Sequence, residues 1–232
     1  LLSRSGAWEP FFHERWEGPS TRTPWRIIPR PPLRLVVGEN DALDRLIFRD
    51  GARELEVLFG ETVTEWAGAR GEIFRLQEGA VILGNQQLGG ILLDIARARH
   101  VGDAPAGDWA FLVSDGGFRL FLDDPGGRGG ESGRYRAWTL SGSSEVQWPA
   151  VDVEWTEVRA FERARRDVPY AWSFASRDQL LRGELTVRTA HLSVGEGPGP
   201  LLPVDALYEV RGSVYISGAT HDVRGLFRHV QP

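Results

Sequence analysis

Thr220-His221-Asp222 is the trio that most resembles catalytic machinery, an imidazole flanked by a hydroxyl and a carboxylate. It lies inside LYEVRGSVYISGATHDVRGLFRHV (207–230), where apolar and polar residues alternate around Gly212, Gly218 and Gly225. Alternation is the signature of half-buried strands. Residues 207–217 and 223–230 are therefore expected as antiparallel neighbours, with Gly218 to Asp222 as a five-residue hairpin link. On that reading the trio is a turn at the rim, and interest moves to Tyr208 and Glu209 on the strand before it.

A second pattern sets carboxylates beside aromatic rings: Glu154-Trp155, Glu65-Trp66, Asp108-Trp109 and Tyr208-Glu209. Adjacent strand residues face opposite sides, so no pair lines one cavity by itself, but members of different strands can. A carboxylic acid in an apolar pocket holds its proton and can deliver it to an alkene, with aromatic faces stabilising the cation. Glu209 and Glu154 are the candidate acids. His191 is the candidate water-orienting base, because alternation through ELTVRTAHLSV (184–194) sets it on a face with Leu185, Val187 and Thr189. Trp155, Trp172, Tyr208, Trp109 and Trp138 are the candidate ligand-contacting rings. For each residue the plainer role is structural: a ring plugging a barrel end, a solvated acid, or a core histidine with a hydrogen-bond partner.

Other chemistries find no support. Cys is absent and all 27 basic residues are Arg, which removes thiolate sites, Schiff-base lysines and the phosphate-loop lysine. The five His show no metal-ligand spacing, although His221 and His229 could meet across a hairpin near Asp222; no metal is expected. No nucleophile-elbow motif occurs, and GGRGGESG (126–133) precedes a strand-like run where a phosphate loop needs a helix. No cofactor is expected. The net charge of -5 speaks against a nucleic-acid partner, and no apolar run is long enough for a transmembrane helix. Compartment and oligomeric state carry no signal.

The elements that must position these residues are strands. Asp50-Gly51, Glu78-Gly79 and Asp115-Gly116-Gly117 each interrupt apolar runs as hairpin turns do. Residues 134–140 and 151–161 also read as strands. ILLDIARARH (91–100) and, more weakly, FERARRD (161–167) are the helix candidates. High Gly (28), Pro (14) and Trp (9) counts fit an all-β chain with aromatic-lined interior space. Polar SGSSEVQWPA (141–150) suggests a boundary, giving β-domains at 1–143 and 144–232, or else one continuous β-domain.

From VPYAWSF (168–174) to LFRHV (226–230) the chain resembles the C-terminal region of the lipocalin-like hydroxyneurosporene synthase/AttH family. The resemblance lies in Ala171-Trp172, the 184–194 run, Tyr208-Glu209, the Gly212–Gly218 alternation and Gly225. It implies two packed, antiparallel lipocalin-like (calycin-type) β-domains around an apolar cavity, and some members hydrate a carotenoid-precursor double bond without metal or organic cofactor. The expected function is binding of an isoprenoid, lipid or polyketide-like molecule. The alternatives are a cofactor-free hydratase, isomerase or cyclase, and a structural or partner-binding β-protein.

Overall fold

The computed structural model describes residues 2–4, 7–9, 26–30, 32–38, 42–67, 72–97, 107–124 and 132–232. Every regular element among them is a strand, sixteen in order. No helix among the described residues is long and apolar enough to cross a membrane, which leaves β-barrel membrane proteins unaddressed. The chain divides into two compact units, Arg15–Asp103 and the remainder, Leu1–Glu14 with Ala104–Pro232.

The first of these is an antiparallel six-stranded meander: β3 (Arg26–Arg30), β4 (Leu33–Val37), β5 (Leu43–Asp50), β6 (Arg53–Ala67), β7 (Glu72–Leu83) and β8 (Gln86–Arg97). Asp50-Gly51 opens the β5–β6 hairpin as expected. Glu78-Gly79 does not turn: β7 runs through it, and the reversal comes at Gly84-Asn85. Gly79 is needed for close approach, since a Cβ there would lie 2.3 Å from the Leu58 carbonyl oxygen. The expected helix over 91–100 is strand through Arg97, because β7 offers β8 a pairing partner along its whole length. Tertiary pairing overrides a short local helix preference.

The larger unit carries the short β1 (Leu2–Arg4) and β2 (Ala7–Glu9) pair and a closed barrel of β9 (Trp109–Val113), β10 (Arg119–Asp123), β11 (Ser132–Ser141), β12 (Ser144–Phe161), β13 (Arg166–Ser176), β14 (Leu181–Val194), β15 (Val204–Ile216) and β16 (Ala219–Gln231). Each strand pairs antiparallel with the next, and β16 returns to β9 over Arg224–Val113 to Arg228–Trp109. Asp115-Gly116-Gly117 turns the β9–β10 hairpin as expected. The stretch 141–150 lies inside this barrel as the β11–β12 hairpin, and the division between units falls between Asp103 and Ala104, not at 143/144. The weaker helix candidate, 161–167, is instead the turn 162–165 with the strand ends of β12 and β13 on either side.

Alternate residues fill the interior. Leu112, Leu120, Val151, Val153, Trp172, Leu185, Tyr208, Val210, Val214 and Phe227 belong to one buried cluster. One barrel end carries tight hairpins, at 114–118, 142–143, 177–180 and 217–218. At the other end the β14–β15 loop folds onto the β12–β13 turn: the Leu202 N–H donates to the Ala164 carbonyl (3.0 Å), and the Arg166 Nε donates to the Leu202 carbonyl (2.8 Å). Leu202 packs against the core there.

Candidate functional site

Asp108, one residue before β9, is a buried acid of the barrel, 1% exposed. Three donors converge on its carboxylate: the Tyr135 hydroxyl (2.8 Å) and His229 Nδ1 (2.6 Å) on Oδ2, and the Val230 amide (2.8 Å) on Oδ1. A carboxylate that only accepts, with Oδ2 facing Nδ1, fixes the proton on that nitrogen. Nε2 is then the imidazole atom free to exchange a proton, and it is buried without a partner. The edge of Trp155 meets the His229 ring at 5.1 Å. Two residues along β16, Phe227 stacks on Trp172 at 4.3 Å, and Trp172 meets Tyr208 at 5.4 Å.

Asp108, Tyr135, Tyr208 and His229 lie toward the end closed by the β14–β15 loop, and Trp172 stands near the middle of β13. His229 is two residues from the end of β16, Tyr208 is near the start of β15, and Tyr135 is near the start of β11. Ala206 is the register partner of His229.

Burial, then the charge of Asp108 and the hydrogen bond to it, hold the Tyr135 phenol well above the usual tyrosine value. Burial, with Tyr170 and Asp108 nearby, raises the Tyr208 phenol too. A pKa raised on folding means that the unfolded chain loses those protons first, from about pH 10 upward. The two tyrosines therefore contribute no loss of stability below about pH 10, and stability falls as pH rises beyond it. Absorbance at 295 nm during an alkaline titration is expected to stay short of the amplitude for all 4 tyrosines until the chain unfolds. Full amplitude from a still-folded protein would contradict this placement.

Of the candidate rings, Trp155, Trp172 and Tyr208 come together inside the barrel. Trp109 and Trp138 do not: they stand on the outer side of their strands, where Trp138 tilts against Phe121 at 5.8 Å and lies under the Arg136 guanidinium. The candidate acids are outside as well. Glu154 is exposed and borders an open groove of about 760 Å³ on the outer face of β12–β16, shared with Asp152, Arg182, Glu184 and Tyr215. Glu209 accepts a hydrogen bond from the Thr189 hydroxyl (3.1 Å), on the face opposite Tyr208.

His191 is expected inward from alternation, and it faces outward. The β14–β15 register shifts between Val187 and Thr189, so Arg188 is an extra residue and the alternation changes phase after it. Ala190 and Leu192 take the inner positions, and His191 lies within 3.3 Å of the Ser193 hydroxyl.

The Thr220-His221-Asp222 trio is on β16 rather than in a five-residue loop. The link from β15 is Ser217-Gly218 alone, with φ of 46° and 101°, the paired positive values of a two-residue hairpin turn. His221 stacks on Phe118 at 4.4 Å. It does not meet His229, which lies toward the other end of the same strand. His13 and His100 lie outside the described residues, as do Gly126 to Glu131 of the glycine-rich stretch. No group of three or more His, Cys, Asp or Glu among the described residues is placed to hold a metal ion.

No family model matches the chain, and no curated protein sequence does. Among solved structures it is similar to an AttH protein from Nitrosomonas europaea, at 12% identity and a TM-score of 0.50, over 85% of this chain and 67% of that one. The chain has the lipocalin-like AttH fold. Kievitone hydratase from Nectria haematococca is a second similar structure, with 12% identity, a TM-score of 0.46, and coverage of 85% and 68%. The likeness reaches the architecture; the residues of the interior have to be argued from their own geometry.

Proposed function

We propose that the barrel binds an apolar small molecule of isoprenoid, lipid or polyketide-like character, admitted at the end closed by the β14–β15 loop. The supporting observation is the convergence of Trp155, Trp172, Tyr208, Phe227 and the His229 imidazole inside one closed barrel. Such walls suit apolar ligands, and a few convergent polar groups orient them. Leu202 is the residue of the closing loop that packs on the core, so it governs entry. The probe N-phenyl-1-naphthylamine is expected to quench tryptophan emission with saturation, and Leu202→Ala to speed its uptake severalfold in stopped flow. Absence of saturable quenching sinks the reading.

A second reading, acid–base turnover of the bound molecule, is favoured by the Asp108–His229 pair. Asp108 anchors Nδ1–H, so Nε2 can take a proton from a ligand carbon and return it to another, a cofactor-free isomerisation. For a hydration the same atom takes a proton from a water whose oxygen adds to one alkene carbon, and delivers that proton to the other carbon. The roles first assigned to Glu209, Glu154 and His191 pass to His229 and Asp108, which face the interior. The test is deuterium incorporation from D₂O into whatever ligand co-purifies. Loss of incorporation in His229→Gln, with probe binding kept, is the expected result.

A further inference from the structure

Among the described residues, five buried side-chain polar atoms of the barrel have no partner, Arg136 Nε, Trp172 Nε1, Tyr208 Oη, His229 Nε2 and Gln231 Oε1, and three of them belong to wholly buried rings: Trp172, Tyr208 and His229. Elsewhere the same barrel does satisfy its buried rings. Trp148 Nε1 donates to the Thr139 hydroxyl at 3.2 Å, and Tyr135 donates to Asp108. Among the unpartnered rings, Trp172 and Tyr208 touch one another, and His229 meets Trp155.

The chemistry of the orphans specifies their complement. An indole N–H can only donate, and a phenol held in its protonated form donates too. Both need an acceptor, and a hydrocarbon has none. Because buried polar groups nearly always have partners, each exception calls for a reason, and an absent ligand atom is one. We propose that the ligand is an oxygenated apolar molecule, whose carbonyl-type oxygen accepts from Tyr208 Oη and Trp172 Nε1. This rests on the ligand-binding reading above and narrows its substrate class: a plain hydrocarbon is the wrong ligand, whatever its shape. Sites built around a ligand oxygen reject the analogue lacking it far more strongly than apolar walls reject a missing methylene.

A matched pair tests this without knowledge of the natural ligand. 1-Tetralone and tetralin have the same fused rings and differ in one carbonyl oxygen, and each is titrated against bound N-phenyl-1-naphthylamine. Tetralone is expected to displace the probe at a concentration at least tenfold lower than tetralin. Tyr208→Phe and Trp172→Phe keep the aromatic wall, and each is expected to shrink that preference at least threefold. Tyr208→Phe removes only an unpartnered hydroxyl, so its melting temperature should not fall. Equal displacement by the two compounds overturns the proposal. So does a preference that survives undiminished in both variants, because the oxygen would then be read elsewhere. Failure of the probe to bind wild-type protein is a separate result, which removes the ligand-binding reading and this one with it.

Discussion

Asp108→Ala is expected to destabilise the barrel by about 3 kcal/mol or more, because it strands the buried donors that its carboxylate satisfies. The substitution leaves the Tyr135 hydroxyl, the His229 Nδ1–H and the Val230 amide without their acceptor, all facing an interior that closes around them. Each stranded donor costs about 1–3 kcal/mol, though the three costs do not simply add. Urea unfolding should show a lower midpoint at unchanged slope, the mark of a change in stability alone. A loss under about 1 kcal/mol would mean that the carboxylate does not hold these groups. The informative companion is the triple variant Asp108→Leu, Tyr135→Phe, His229→Leu. Apolar groups filling the space of a buried charged network often match or exceed its stability. Recovery of most of the lost stability, together with loss of deuterium incorporation into the ligand, would separate what the cluster does from what it holds together.

The strands and several turns were legible because their signals are local. Alternation marks β14 to β16, and Asp50-Gly51 and Asp115-Gly116-Gly117 mark two hairpins. The misreadings come from influences that sequence windows do not contain. Glu78-Gly79 has turn composition, yet that glycine is set by the backbone of β6 across the sheet. One bulge at Arg188 is enough to send His191 to the outer face.

The candidate site follows the same division. Neighbours in a strand do face opposite ways: Trp155 is in and Glu154 out, Tyr208 in and Glu209 out. Which member turns inward depends on registers that alternation alone does not supply. The central pair is hidden for a different reason, since Asp108 and His229 are 121 residues apart and meet only because β16 closes on β9. Both stand out singly in the sequence, Asp108 beside Trp109 and His229 as a stray imidazole. What no sequence window contains is the closure that joins them.

That closure makes Gly225 the second critical position. Neighbouring backbone crowds both Gly212 and Gly225. A Cβ on Gly225 would lie 1.9 Å from the Phe111 carbonyl oxygen on β9, and one on Gly212 would lie 1.8 Å from that of Glu184 on β14. These atoms belong to the ladders themselves and cannot step aside as a flexible side chain can. Gly225→Ala must then push β16 from β9 at the seam that closes the barrel. Overpacking of a core costs about 1–3 kcal/mol when side chains can adjust, so a clash with fixed backbone is expected to cost about 3 kcal/mol or more. Gly116→Ala in the same unit is the control, because a Cβ there meets only the Ser114 hydroxyl, at 3.7 Å. Its midpoint should move by less than about 0.5 kcal/mol, as ordinary surface changes do. Gly225 lies two residues before Phe227 on the same face of β16, so prising the seam also loosens the Phe227–Trp172 stack. Near-ultraviolet circular dichroism of the tryptophans should therefore weaken before the β-sheet signal does. A Gly225→Ala protein with wild-type midpoint and undiminished tryptophan dichroism would show that β9 and β16 can separate without opening the barrel, and the case for a closed interior built around His229 would fall with it.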